Sequence, residues 1–304
     1  MPTTILSLGS PFSIGYGVPE SLYIPSINTL QLGPFGFLSS SEVKAQGTAN
    51  AGLLDTAFAL EWIEKNIHKF GGDMNRITVS GESAGAGALI HLSLAPNVKS
   101  KFQAIAASPY LPGQHNFDGA VPTKLYYNFA AQAGCGSSGE VIECLRSKDS
   151  ASLQKANHNV TVSGPVYRTW AFEPVTDGTY ITERPSIKLQ NNKVNGRAIL
   201  VGSNANEGAL FVPQGEISTL GELKAWLHLK YPQFSNDDIQ KVLSMYPSPD
   251  RDDDPNALKL ATNGLDGPIT INMSQVATGH LQRANVCSSL YRLSTSRLTC
   301  VRRL

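Results

Sequence analysis

The sequence has little charge and no long apolar run. Charged residues make up 16% of 304 positions, and 25 basic against 24 acidic residues leave a formal net charge of +1. Proteins that bind the phosphate backbone of nucleic acids need a clustered excess of Lys and Arg, so nucleic acid is excluded as a partner. Gly9, Pro11, Gly15 and Pro19 interrupt the early uncharged stretch. No segment therefore reaches the roughly 20 apolar residues of a membrane-spanning helix, and positions 1–10 lack the basic residues of a signal peptide.

Cysteine is also scarce. The four cysteines form no Cys-x-x-Cys pair, which excludes the common zinc and thioredoxin-like motifs. Cys135 and Cys144 bracket a polar Gly/Ser loop, and on these residues alone a local disulfide and two reduced cysteines remain open. Two Asn-x-Ser/Thr sequons, at Asn159 and Asn272, are glycosylation acceptors only in a secreted protein.

The clearest periodic pattern predicts an α/β fold. From Asn50, apolar residues recur every three or four positions until Gly71-Gly72, which predicts an amphipathic helix of about five turns. A β-branched run at 76–80, a small-residue helix after Gly85 and an apolar run at 102–107 follow. Helices that alternate with short buried strands predict a mostly parallel sheet covered on both faces.

The remaining pattern is weaker and suggests no separate domains. Residues 1–48 are predicted to be loops that join buried strand ends, and 109–197 lack clear periodicity. Ala198-Ile199-Leu200-Val201 predicts a buried strand. The range 218–246 is predicted to be a peripheral helical segment, because Thr219-x-x-Glu222 and Ser235-x-x-Asp238 are typical of helix starts. We find no linker, so 1–304 is predicted to be part of one domain.

One pentapeptide contains the candidate catalytic nucleophile. Gly81-Glu82-Ser83-Ala84-Gly85 fits the Gly-x-Ser-x-Gly nucleophile elbow, in which a strand turns sharply into a helix and exposes a serine hydroxyl. Gly81 and Gly85 allow the helix to pack close to the strand, and the Ala84 N–H is aimed where an oxyanion forms. Glu82 has two alternative roles: it places a second carboxylate near the nucleophile, or it accepts hydrogen bonds from nearby backbone N–H groups. The acid of such a site follows a later strand, and Glu207, just beyond 198–201, fits this position.

The motifs together resemble the type B carboxylesterase/lipase family, which includes fungal lipases and cholinesterases. The matching blocks are Gly33 to Leu38, Gly52 to Asp55, Ala59 to Ile63, Phe70 to Asp73, Gly81 to Ala86, Phe172 to Gly178 and Gly202 to Gly208. The resemblance implies an α/β-hydrolase fold, incomplete at both ends, with Ser83 as nucleophile, Glu207 as triad acid and Ala84 as oxyanion donor. It also implies a Cys135–Cys144 disulfide, secretion with glycosylation, small-molecule or lipid ester substrates, and no cofactor.

Two departures from the family pattern concern catalysis. The upstream oxyanion segment resembles Leu8 to Phe12, so Gly9 and Ser10 are its candidate donors, but Pro11 has no N–H. The only histidine after Glu207 is His280, and the family places its base behind a later strand, so no histidine of this chain is assigned as the base. The alternative is a non-catalytic, truncated member of the family that acts as an interaction module.

No metal site is predicted. Asp250-x-Asp252-x-Asp254 imitates the start of a calcium loop, but Pro255 replaces the required glycine and Ala261 the closing glutamate.

Overall fold

A computed structural model gives the structure of the chain. It describes residues 3–8, 23–28, 31–99, 102–111, 113–162, 170–191, 194–203, 217, 219–231, 234–245 and 287–292.

The centre of the fold is a six-stranded sheet in which each described pair of neighbouring strands is parallel. Its strands are β1 (Thr3–Leu8), β2 (Tyr23–Asn28), β3 (Ile77–Glu82), β4 (Gln103–Ala107), β7 (Ala198–Ser203) and β8 (Cys287–Arg292), in the spatial order β2-β1-β3-β4-β7-β8. Residues 77–80 of β3 are all buried, which requires cover on both faces of the sheet. The predicted parallel sheet is confirmed. A separate two-stranded sheet pairs β5 (His115–Asn116) with β6 (Val175–Thr176).

Helices connect these strands. They are α1 (Pro34–Phe37), α2 (Ser41–Gln46), α3 (Ala51–Asn66), α4 (Ala84–Leu94), α5 (Ala120–Gln132), α6 (Ile142–Ser147), α7 (Ser150–Val162), α8 (Pro185–Gln190), α9 (Leu220–Lys230) and α10 (Asn236–Met245). The helix predicted from Asn50 is confirmed as α3, which continues as a 3-10 turn at Ile67–Phe70 and ends at Gly71, whose φ is 82°. Within the described ranges, no helix is both long and apolar enough to cross a bilayer.

The main hydrophobic core lies between α3, α4 and the central strands. Leu53, Leu60 and Ile63 of α3 face the sheet, and Val79 of β3 and Leu89 of α4 are fully buried. Because α4 is buried along almost its whole length, it packs directly behind β3 and holds the turn that joins them.

A second core joins α5, α6 and α7. Tyr126 and Phe129 of α5 pack with Ile142 and Val160 there. A disulfide between Cys135 and Cys144 links the end of α5 to α6, with the two Cα atoms 5.6 Å apart. The disulfide that the resemblance implied is therefore present, and the alternative of two reduced cysteines is wrong.

A third, smaller cluster is made by α9 and α10, in which Leu223, Trp226, Leu227 and Ile239 are buried. The predicted capping box is confirmed, because the Thr219 hydroxyl accepts from the Glu222 N–H while the Glu222 carboxylate accepts from the Thr219 N–H. Ser235 and Asp238 exchange the same pair of bonds at the start of α10.

One sequence-based expectation about secondary structure is wrong. Residues 1–48 were expected to be loops between strand ends, but they contain the strands β1 and β2 and the short helices α1 and α2. A Pro at the first helical position favours α1 at Pro34, and the Ser40 hydroxyl caps α2 by accepting from the Val43 N–H at 3.1 Å. For 109–197 the weak periodicity gave no prediction, and the described residues of this range include four helices, α5 to α8.

Candidate active site

Ser83 lies at the bend between β3 and α4. Its backbone has φ 53° and ψ −119°, which lies outside the regions that non-glycine residues normally occupy. Gly81 and Glu82 are the last residues of β3, and Ala84 is the first residue of α4. The predicted order of strand, tight turn and helix is confirmed. Ser83 is partly exposed, and Glu82 and Ala84 are exposed.

Close backbone packing explains the glycines around the bend. A Cβ atom on Gly81 would lie 2.5 Å from the carbonyl carbon of Gly85 and 2.8 Å from the Ala86 nitrogen. A Cβ atom on Gly87 would lie 2.0 Å from the Tyr110 carbonyl oxygen. Neither position has room for a side chain, so the bend depends on glycine for sterics and not only for flexibility.

The carbonyl of Ser83 accepts two hydrogen bonds. The Gly87 N–H donates at 3.0 Å, as in an ordinary helical turn, and the Tyr110 N–H donates at 3.0 Å from the loop that follows β4. Ser108 in that loop also has a positive φ, of 44°. The loop after β4 is thus attached to the turn that carries Ser83.

Tyr110 in turn contacts Glu173, a residue that sequence analysis did not single out. Its hydroxyl donates to the Glu173 carboxylate at 2.7 Å. Burial raises the pKa of Glu173 to about 7, although the hydrogen bond from Tyr110 acts in the opposite direction. Burial, together with the neighbouring carboxylate, also raises the pKa of Tyr110. Glu173 is the variable position within Phe172-x-Pro174, so the motif gave no signal for it.

The carboxyl ends of the central strands meet at the edge where Ser83 lies. Leu8, the last residue of β1, pairs with Gly81, and Glu82 pairs with Ala107 of β4, which pairs with Gly202 of β7. β7 is therefore two strands from β3, or roughly 10 Å at the usual spacing of about 4.8 Å between neighbours.

Several predicted site residues lie outside the described ranges. Gly9, Ser10 and Pro11 follow β1 in the sequence, and Glu207 follows β7. The sequon residue Asn272 and His280 also lie outside them. Asn159, the other sequon residue, is in α7, where its amide donates to the Gln132 side chain at 3.0 Å.

None of the histidines in the described ranges has a hydrogen bond to Ser83. His91 is on α4, is 3% exposed and has no hydrogen-bond partner at Nε2. Burial and the nearby Lys188 lower the pKa of His91 to about 4. His228 contacts Asn236 at 2.9 Å, and His68, His115 and His158 are exposed.

Two concave surfaces lie on the side of β5 and β6. One, of about 400 Å³, is lined by Gln114, His115, Asn116, Thr176, Glu183, Arg184 and Ile187. The other is smaller, about 40 Å³, and mainly apolar, with Phe37, Leu125, Trp170 and Phe172 beside Glu173. Among the residues that the structure describes, no three His, Cys, Asp or Glu side chains are grouped as metal ligands.

Comparisons with known proteins agree on the family. The model of the carboxylesterase family matches residues 29–286. The chain is 33% identical over 249 residues to lipase 2 of Geotrichum candidum, a match that covers 77% of this chain and 44% of the lipase. It is 34% identical over 203 residues to the acetylcholinesterase of Electrophorus electricus, which covers 64% of this chain and 31% of that protein.

A solved structure has the same fold. The crystal structure of EstA from Aspergillus niger matches with a TM-score of 0.78 and 25% identity, over 96% of this chain and 59% of that one. The central parallel sheet with its flanking helices is thus an α/β-hydrolase sheet, as predicted. The chain spans less than half the length of the lipase and the acetylcholinesterase that it matches. From the position of Ser83, the fold and these matches, the chain belongs to the carboxylesterase family.

Proposed function

We propose that the chain carries the nucleophile and acid of a serine carboxylic-ester hydrolase of the carboxylesterase or lipase type. Ser83 is the nucleophile, Glu207 the acidic member of the triad, and Ala84 one donor of the oxyanion hole. The observation that carries the proposal is the positive φ of a partly exposed Ser83 at the bend from β3 to α4. A non-glycine residue in this conformation is costly, and such strain is concentrated at functional sites.

The chemistry is acyl transfer in two steps. A base takes the proton from the Ser83 hydroxyl as its oxygen attacks the ester carbonyl, and the same base then protonates the alcohol that leaves. Water hydrolyses the acyl-serine by the reverse sequence, which releases the carboxylic acid and restores Ser83. Glu207 would orient a histidine base in this scheme, and the proposal assigns that base to no histidine of the 304 residues.

The negative charge that develops on the ester oxygen needs backbone donors. The Ala84 N–H begins α4, where the dipole of the helix also favours negative charge. Gly9 and Ser10 are proposed as further donors because they follow Leu8, which pairs with Gly81 next to the bend. Pro11 contributes no N–H to this group.

The proposed acid is consistent with the strand order. Glu207 comes four positions after Ser203, the last residue of β7, and β7 ends at the same edge of the sheet as β3. Ligands of open parallel sheets bind at this edge. The described end of β7 is therefore about two strand spacings, roughly 10 Å, from the strand that leads to Ser83.

Substrate and compartment follow the family. We propose small-molecule or lipid esters as substrates, given the similarity to a lipase and an acetylcholinesterase. We propose a secreted protein, because the Cys135–Cys144 disulfide is typical of oxidising compartments. Asn159 and Asn272 are its candidate glycosylation sites.

A fluorophosphonate probe tests the nucleophile, because it forms a stable phosphonyl ester only with an activated serine. We expect Ser83 to be labelled, as identified by peptide mass spectrometry, when the protein also holds the histidine base, and Ser83→Ala to abolish labelling. Ser138→Ala, in the exposed loop between the two bridged cysteines, is the matched control and should leave labelling unchanged. A folded protein that holds the histidine base and is still not labelled would favour the non-catalytic alternative, an interaction module.

A further inference from the structure

Two hydrogen bonds from different segments of the chain fix the Ser83–Ala84 peptide group. Its carbonyl accepts from the Gly87 N–H and from the Tyr110 N–H, both at 3.0 Å. The first bond is the ordinary i to i+4 bond of α4, whereas the second comes from a loop on the neighbouring strand. The bond from Gly87 already supplies the helical partner of this carbonyl, so the bond from Tyr110 is an additional constraint.

This constraint acts on the proposed oxyanion donor. The peptide bond is planar and trans, so the Ser83 carbonyl and the Ala84 N–H belong to one rigid unit and point in opposite directions. Because the carbonyl points toward Gly87 and Tyr110, the Ala84 N–H points away from them. Any rotation that breaks the bond from Tyr110 therefore also turns the Ala84 N–H. Hydrogen bonds to an oxyanion depend strongly on such alignment.

Tyr110 is itself held by its side chain. The hydroxyl donates to Glu173 at 2.7 Å, across 63 positions of sequence. Both residues are only partly exposed, and Glu173 lies beside the apolar side chains of Phe37, Trp170 and Phe172. An acidic group in such surroundings is costly unless it is hydrogen-bonded, and Tyr110 supplies that bond.

Close packing restricts the conformation of the loop that follows β4 and carries Tyr110. The Tyr110 carbonyl oxygen occupies the space that a side chain at position 87 would need, 2.0 Å from an ideal Cβ. The loop is thus in close contact with the start of α4, while the Tyr110 side chain is hydrogen-bonded to Glu173, just before β6. The Tyr110 main chain has close contacts to α4, and its side chain has one to Glu173.

We infer that Tyr110 and Glu173 form a positioning pair, which orients the Ser83–Ala84 peptide through the Tyr110 N–H and so aligns the proposed oxyanion donor. The inference rests on the proposed function for its catalytic meaning. Neither side chain is assigned a contact with substrate, and neither is a catalytic residue in this scheme.

Amide hydrogen exchange at the Tyr110 N–H tests the pair without any need for activity. We expect Tyr110→Phe and Glu173→Leu to speed exchange of this amide by about tenfold, the effect of one lost hydrogen bond. Glu173→Gln keeps an acceptor oxygen and should restore protection to near the unmodified level. Tyr127→Phe is the matched control, because its hydroxyl donates to the Gly139 carbonyl on the exposed side of α5.

The buried Val79 amide in β3 reports global stability in the same spectra, so that a general loss of protection is recognised. Faster exchange at Tyr110 relative to Val79 supports the pair. Unchanged relative exchange in both Tyr110→Phe and Glu173→Leu overturns it, as does equal exchange in Glu173→Gln and Glu173→Leu. If Glu173→Leu does not fold, Tyr110→Phe alone decides.

Fluorophosphonate labelling then separates this inference from the proposed function. If the unmodified protein holds the histidine base and is not labelled, the proposed function fails, while the exchange data still judge whether the pair orients the peptide. If it is labelled, we expect Tyr110→Phe to slow labelling by about tenfold and Glu173→Gln to leave it near the unmodified rate. Equal labelling rates in Tyr110→Phe and the unmodified chain would overturn the positioning role.

Discussion

At the scale of single residues, the candidate site is determined by a few backbone atoms in very close contact. Gly81 faces Gly85, and Gly87 faces the Tyr110 carbonyl, with no space for a Cβ atom in either place. Ser83, which lies between these glycines in the sequence, has a strained φ of 53°. The fold around it must therefore supply the free energy that this conformation costs, about 1–3 kcal/mol for a residue of this kind.

Gly87→Ala tests this crowding. The added methyl group would lie 2.0 Å from the Tyr110 carbonyl oxygen, so the loop after β4 has to move. Overpacking of this kind destabilises proteins by about 1–3 kcal/mol. We expect the free energy of unfolding to fall by that amount in urea titrations, with slower fluorophosphonate labelling of Ser83.

Gly221→Ala is the control for this substitution. Gly221 lies in the first turn of α9, and the atom nearest to an added methyl group there would be the Thr219 hydroxyl oxygen, at 3.9 Å. Because Ala favours helices over Gly by about 1 kcal/mol, we expect Gly221→Ala to be neutral or stabilising. A loss of stability as large as that of Gly87→Ala would contradict the steric explanation.

Short-range patterns allowed the bend to be predicted from sequence. A β-branched run, two glycines and a small-residue helix lie within 76–94, so the elbow at Ser83 follows from neighbouring residues. Tyr110 and Glu173 are 63 positions apart in the sequence and are brought together only by the tertiary structure. Nothing in their local sequence distinguishes them from other partly exposed residues, so this contact could not be predicted.

At the scale of secondary-structure elements, the region 109–197 is where the sequence gave no prediction and the structure has the helices α5 to α8. α5 begins after Gly119, which forms no side-chain cap, and α6 has only six residues, too few to show a period. A signal was present for α7, because the Asp149 carboxylate accepts from the Ser152 N–H at 2.9 Å as a capping residue does. In contrast, α9 and α10 were predicted because each begins with a pair of reciprocal capping residues.

The disulfide between α5 and α6 gives a testable contribution to stability. It closes a loop of sequence separation 9, and a loop of that length is expected to contribute about 3 kcal/mol through the unfolded chain. We expect the double variant Cys135→Ser, Cys144→Ser to lose roughly this amount in urea unfolding. Ser138→Ala, inside the same loop, should change little.

Thiol titration of the denatured, unreduced protein checks the bridge directly. Cys135 and Cys144 should not react, and they should become reactive after reduction. Free thiols at both positions in protein from an oxidising compartment would contradict the disulfide, and the double variant would then have no stability effect of this origin.

At the scale of the whole molecule, the stability depends on pH through two titratable groups, the buried His91 and the partly buried Glu173, whose effects have opposite signs. His91 has its pKa lowered from 6.5 to about 4 by burial and by Lys188, so its contribution to stability is lost as pH falls through this window. Glu173, beside Tyr110 and near His115, has its pKa raised from 4.5 to about 7 by burial. Its contribution to stability is lost as pH rises through that window.

The two groups therefore give opposite slopes between about pH 4.5 and 6.5, where the windows overlap. Glu173→Gln removes the contribution of Glu173, which is lost in the unmodified chain as pH rises. We therefore expect the free energy of unfolding of this variant, relative to that of the unmodified chain, to increase as pH rises from 4.5 to 7. Urea unfolding at intervals of pH measures this difference. Glu140→Gln, at an exposed position, is the control. A pH-independent difference for Glu173→Gln would contradict the raised pKa of Glu173.

The parallel strand order has a consequence for the order in which the chain assembles. β3 and β4 pair with a short connection, whereas Gln103 of β4 pairs with Ala198 and Ala198 with Cys287, each across a long stretch of chain. During synthesis from the N-terminus, Ser83, Tyr110 and Glu173 leave the ribosome before β7 and Glu207 do. A nascent chain can thus acquire its bent serine and the loop that contacts it while its proposed acid is still inside the ribosome.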